Sequence, residues 1–168
     1  MAAPRLKLGG IEVPLHAGAP RVAYAAAGGA EDARLSGGKL VRMRHWKKWQ
    51  ITISGTGWMA TGLDVLDFDQ YLDLWCPKPK RVATTSTEVR IQTDARPDVP
   101  VEAHALVGRD WVSTPVTMAG RDATITPVAG ALQYSVVWFP RFQQVLCVPP
   151  DEDLSAGDVA WQIVANEV

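Results

Sequence analysis

The sequence predicts an all-β fold, a single β-sandwich or distorted barrel of short antiparallel strands with long loops and little helix. Three observations lead there. Short runs alternate apolar and polar residues, as in Trp49-Gln-Ile-Thr-Ile53, and a period of two puts successive side chains on opposite faces of a strand. No window sustains apolar residues at i, i+3, i+4 and i+7 through three turns. Fourteen glycines and twelve prolines break the chain every few residues, which leaves room for strands and turns rather than long helices.

Taken in order, Leu6–Leu8, Gly9-Gly10 and Ile11–Val13 read as a hairpin with a glycine turn. Arg21–Tyr24 is a short strand, and the small residues of Ala25–Ala33 predict a loop. Ser36-Gly37-Gly38 turns the chain into strands over Lys39–Trp46 and Trp49–Ser54, with a bulge or tight turn where the apolar phase slips at Trp46–Trp49. Gly55-Thr-Gly57 then breaks the strand and opens an extended loop, Gly55–Asp69. Tyr71–Trp75 is a strand stopped by Pro77 and Pro79, with Asp73 facing solvent or a partner.

Further strands follow at Thr87–Thr93, Val99–Val107, Asp110–Val112 and Ala123–Thr126. Leu132–Phe139 is the strongest, and Pro140 marks an edge or bend after it. Gln143–Val148 is a strand. Pro149–Gly157 reads as a solvated acidic loop, and Val159, Trp161, Ile163 and Ala165 give a last alternating strand. The total is roughly ten to twelve strands.

Composition narrows the function. A chain of 168 residues suits one domain, and 47% apolar content supports a core without metals or disulfides. A net charge of −1 provides no field for holding nucleic acid, and the basic run Arg42–Lys48 is short. Cys76 and Cys147 lie far apart, outside any CxxC pattern, and read as two reduced, mostly buried thiols, a bridge between them being the alternative. The N-terminus has no apolar leader pattern, and no apolar run reaches membrane-spanning length, so a soluble protein made in the cytoplasm is expected.

A search for chemistry returns little. Ser54-Gly-Thr-Gly57 lacks the G-x-S-x-G elbow, and His16, His45 and His104 fall in separate segments. Asp64, Asp67, Asp69 and Asp73 offer oxygen ligands of the kind calcium takes, but without EF-hand spacing. The expectation is a protein that is not an enzyme and needs no cofactor or metal. Among the seven tryptophans, Trp49, Trp138 and Trp161 alternate with aliphatic residues and predict core. Trp46, Trp58 and Trp111 adjoin charges or turns, where a partly exposed ring would serve an interface or stack on a sugar, although core is the better bet for any single one of them.

One stretch carries a resemblance. Ile53-Ser-Gly-Thr-Gly57-Trp58 leads into Gly62-Leu63-Asp64-Val65-Leu66-Asp67, and a strand then ends at Leu74-Trp75-Cys76-Pro77. The tyrosine strand Tyr134–Pro140 and the Trp161–Glu167 segment complete the pattern, which spans roughly two-thirds of the chain. It is similar to small tail or baseplate structural proteins of long-tailed, siphovirus-type bacteriophages and prophages, of the distal tail protein kind. The resemblance implies a virion tail component assembled in the host cytoplasm. It implies a homo-oligomeric ring, a hexamer being one option, that joins the tail tube to the tail tip and meets tail tube, baseplate hub and tape-measure proteins. The interface would draw on Trp58, Met59, Leu63, Asp64, Leu66, Asp67, Phe68 and Asp69. The competing expectation is a carbohydrate-binding β-sandwich that attaches to a host surface through Trp58 or Trp111.

Overall fold

A computed structural model describes residues 4–155 and 157–168. The fold is all-β. In chain order the strands are β1 (Lys7–Leu8), β2 (Ile11–Glu12), β3 (Arg21–Ala27), β4 (Ala30–Arg34), β5 (Leu40–Arg44) and β6 (Lys48–Gly57). Then come β7 (Leu72–Trp75), β8 (Lys80–Thr84), β9 (Glu88–Arg90), β10 (Asp94–Ala95), β11 (Glu102–Val107) and β12 (Asp110–Thr114). The last six are β13 (Val116–Ala119), β14 (Asp122–Ile125), β15 (Ala131–Trp138), β16 (Pro140–Cys147), β17 (Asp151–Ser155) and β18 (Asp158–Glu167). A single 3-10 turn, Leu15–Ala17, is the only helical element among the described residues.

The strands number eighteen among the described residues, more than the spacing of sequence runs predicts. The surplus has identifiable sources. Ala25–Ala33, expected as a loop, supplies the end of β3 and most of β4. Pro149–Gly157, expected as a solvated loop, contains β17, which pairs with β18 from Asp151↔Gln162 to Ser155↔Asp158. Every side chain of β17 is nonetheless exposed, so its acidic composition fits an edge strand facing water. Ala156, within that segment, and Met1–Ala3, part of the N-terminal reading, lie outside the described residues.

The chain divides into two compact units, one from residues 4–12 and 73–143, the other from Val13–Leu72 and Gln144–Val168. The first contains a sandwich. Its four-stranded antiparallel sheet has the order β12-β11-β15-β8, and its three-stranded sheet the order β13-β14-β9. Ala103 and Ala105 of β11 and Tyr134, Val136 and Trp138 of β15 meet Ile91, Ala123 and Ile125 in one buried cluster. This is the period of two at work, since alternate residues of each strand turn inward and their neighbours turn to solvent. The indole N–H of Trp138 donates to Thr93 Oγ1 at 2.9 Å, so the largest core side chain buries no orphan donor. Gly9 and Gly10, at φ 56° and 83°, turn β1 into β2 as expected.

In the second unit β6 is central, with β3 on one side and β18 on the other. Val22, Ile53 and Ile163 fall in one cross-strand row, and Ile51 and Ala165 in the next but one. All are buried, as is Trp161. Thr52, Ser54, Gln162 and Asn166 occupy the opposite, polar face.

Gly55-Thr-Gly57 does not break β6. The strand continues to Gly57, paired through Val159↔Gly57 and Trp161↔Gly55. The glycines serve close approach instead. A Cβ on Gly55 would stand 2.5 Å from the Trp161 ring, and one on Gly57 would stand 2.2 Å from the carbonyl oxygen of His16. The 3-10 turn lies over this part of β6, and Trp161 Nε1 donates to Ala17 O at 2.6 Å. The loop therefore begins at Trp58, three residues later than the sequence suggested.

Cys76 and Cys147 are both buried. Burial pushes the Cys147 thiol up to about 12.

Candidate interaction surfaces

The loop after β6 is held by its own backbone and by two anchors. Met59 N–H donates to His16 O at 3.2 Å, Leu66 N–H to Leu63 O at 3.0 Å and Gln70 N–H to Asp67 O at 3.3 Å. Asp67 Oδ1 also accepts from Asp69 N–H at 3.0 Å, the local turn that aspartate favours. The first anchor is Leu63, which is 0% exposed. The second is Thr61, buried, whose N–H and hydroxyl donate to Glu152 Oε1 of β17 at 3.0 and 2.5 Å. The loop and the acidic strand are thus tied together by one carboxylate.

Of the eight interface residues expected from sequence, most lie outward. Trp58 is 62% exposed, with its ring tilted against His16 at 4.8 Å between centroids. Met59, Asp64, Asp67 and Asp69 are exposed, and Leu66 and Phe68 are half-buried. Leu63 is a correction: it anchors the loop and presents nothing outward. Val65, which the sequence reading passed over, is 79% exposed at the loop tip. Its signal was legible, because a β-branched apolar residue between Asp64 and Leu66 in a turn has no strand face to join.

A second exposed feature precedes β6. Strands β4 and β5 form a two-stranded hairpin, in register from Ala30↔Arg44 to Arg34↔Leu40, and among the described residues it pairs with no other strand. One face carries Arg34, Arg42, Arg44 and Leu40. The other carries Ala33, Val41 and Met43, with Glu31 opposite Met43. Asp32 accepts two hydrogen bonds from Arg42, each 2.6 Å, and that contact holds its carboxyl below the usual carboxylate range. The base is closed by His45 N–H donating to Gly29 O at 2.9 Å and by Trp46 lying over Gly29, where a Cβ would stand 2.6 Å from Nε1. Leu35, Leu40, Met43 and Trp46 are all exposed.

Beside β17 the polar face of the second unit forms an open groove of about 620 Å³. Ser54, Gly55, Thr56, Ala160 and Gln162 make the floor, Arg21 stands on one side, and Asp151 and Asp153 stand on the other. The arrangement follows from register, since Arg21↔Ser54↔Gln162↔Asp151 is one continuous cross-strand row.

The first unit holds a smaller cleft, about 220 Å³, lined by Arg81, His104, Trp111, Ser135 and Val137. The Arg81 guanidinium lies 4.5 Å from the Trp111 ring centroid, and its Nε donates to Ser135 Oγ. Elsewhere in this unit charge is paired. Arg96, almost fully buried, donates to both carboxylate oxygens of Asp98 at 2.9 and 2.7 Å and to the carbonyls of Arg5 and Cys76 at 2.7 and 3.1 Å. Arg141 pairs with Asp73, the aspartate expected to face solvent or a partner, and Arg121 pairs with Asp94. These arginines hold Asp98 and Asp94 below the usual carboxylate range.

Among the described residues no group of three or more His, Cys, Asp or Glu side chains is placed to hold a metal ion, the Asp64–Asp73 set included. No helix among them is long and apolar enough to cross a membrane. No protein-family model matches the chain, and no curated protein matches it.

Proposed function

We propose that this chain is a structural subunit of a bacteriophage tail, a ring-forming distal tail or baseplate protein that joins the tail tube to the tail tip. The reading draws its class from the Ile53–Pro77 motif and is supported by the all-β fold. The observation that carries it is the anchored loop Trp58–Asp69. Leu63 and Thr61 fix the loop from below while Trp58, Met59 and Val65 stand in solvent. Large apolar side chains on a loop already held in shape are the arrangement that binds with little ordering cost. Ring closure would cover them with a neighbouring copy.

Sedimentation velocity of the purified protein, electron micrographs of it, and antibody labelling of phage particles test this reading. Rings and labelled tails are expected, with Trp58→Ala together with Val65→Asp weakening assembly while the circular dichroism spectrum stays unchanged. A strictly monomeric protein that is absent from particles would sink it.

A carbohydrate-binding role is the second reading, favoured by the Trp111 cleft, where one aromatic face lies beside arginine, histidine and serine. Glycan-array binding that disappears in Trp111→Ala would support it.

A further inference from the structure

The β4–β5 hairpin is unusual within this fold. Isolated two-stranded hairpins are marginal in water, and native proteins normally pack one face against something. Here, among the described residues, β4 and β5 pair with no other strand, Ala33 and Val41 are half-buried, Met43 is exposed, and Leu35 and Leu40 near the turn are more than half exposed. Its charge is one-sided as well. Residues 30–48 hold six lysines and arginines against Glu31 and Asp32, and Asp32 is already taken by Arg42. The counterpart lies in the same unit. Residues 148–158 hold Asp151, Glu152, Asp153 and Asp158 with no basic residue, and Leu154 among them is 71% exposed. Asp151 and Asp153 form a wall of the open groove, and no hairpin residue lines that groove within the same chain.

We propose that the β4–β5 hairpin of one copy docks against the β17 strand and groove of a second copy. Its arginine face would meet Asp151 and Asp153 along the wall of the groove. The inference rests on the self-assembly reading above and adds a second contact to the one made by the Trp58–Asp69 loop. Two features select a second copy as the occupant. The charges are opposite in sign and similar in size. The two surfaces are different patches, so each copy has one of each to offer, and such a head-to-tail contact repeats into a ring or a filament.

A charge-swap experiment on the full chain tests the proposal, read by mass photometry and sedimentation. Arg34→Glu with Arg44→Glu should raise the dissociation constant about tenfold or more, and Asp151→Lys with Asp153→Lys should do the same. The protein carrying all four changes should regain assembly, because its hairpin and strand again have opposite signs. Wild-type assembly should weaken between about 0.1 M and about 1 M salt. Circular dichroism on each variant checks that the fold is intact. If wild type assembles and the reversals leave assembly unchanged, or the four-fold variant fails to recover while folded, this docking is wrong and the assembly reading survives. If wild type is monomeric at every concentration and salt, both fall together.

Discussion

In the unit built from residues 4–12 and 73–143, arginines are matched to carboxylates: Arg96 to Asp98, Arg121 to Asp94, Arg141 to Asp73, Arg90 to Asp122. In the unit built from Val13–Leu72 and Gln144–Val168 the charges are sorted instead. Cations gather on the β4–β5 hairpin, carboxylates gather on the Trp58–Asp69 loop and β17, and Arg42–Asp32 is the one ion pair among its described residues. Paired charge contributes to the fold that contains it. Sorted charge leaves a field at the surface, which steers and orients a partner. The first unit uses its charge to hold its own fold, and the second carries the surface field that the proposed assembly would use.

The sharpest way to break this contrast is to remove one arginine from each unit. Arg96→Met leaves two backbone carbonyls without their donor, beside an Asp98 that water still reaches, and should cost about 2–4 kcal/mol in urea denaturation. Arg42→Met, on an exposed hairpin, should leave the denaturation midpoint where it is. Equal effects would erase the distinction between the units.

The loop gives an effect of similar size. Leu63→Ala should cost about 2–4 kcal/mol, since it empties a fully buried site, while Val65→Ala should leave thermal stability unchanged. A neutral Leu63→Ala would mean that the loop is not anchored as described.

Acid should separate the units more gently. Asp94 and Asp98 have folded-state pKa values below the unfolded value of about 3.9. Their contribution is therefore complete above that value and is lost as pH falls through the lower, folded one. Denaturation followed from pH 5 downward should show this loss beginning near pH 4, with Asp98→Asn giving a shallower slope. A slope unchanged by that substitution would remove Asp98 from the account.

The smallest effect is kinetic. Cys76 lies in the first unit and Cys147 in the second, both buried, and Cys147 is further protected by a thiol pKa of about 12. Alkylation at pH 8 should be slow at both and should follow opening of the unit each belongs to. Identical rates across denaturant would show that the two units open as one.

Much of the fold was legible in the chain. Alternation placed Ile51, Ile53, Val136, Trp138, Trp161 and Ile163 in the interior, whereas for Trp46, Trp58 and Trp111 the neighbouring charges and turns only raised exposure against a better bet on core, and all three are exposed. Those assignments depend on a period of two and on neighbouring residues, which are local quantities. What stayed hidden depended on the other side of a contact. Gly55 and Gly57 read as a break because glycine permits turns, yet they are glycine because Trp161 and the His16–Gly18 backbone, distant in sequence, press against them. Leu63 stood among the interface residues that the family resemblance implies, and only the folded chain buries it. Pro149–Gly157 read as a loop because its residues are polar, and only pairing with β18 makes it a strand. The all-β class and the inward residues of the clearly alternating strands, β6, β15 and β18 among them, were readable from the chain, since period and composition act at short range. The tertiary structure decided which glycines are packing sites, which carboxylates are neutralised, and that positive and negative charge in the second unit stand on separate surfaces.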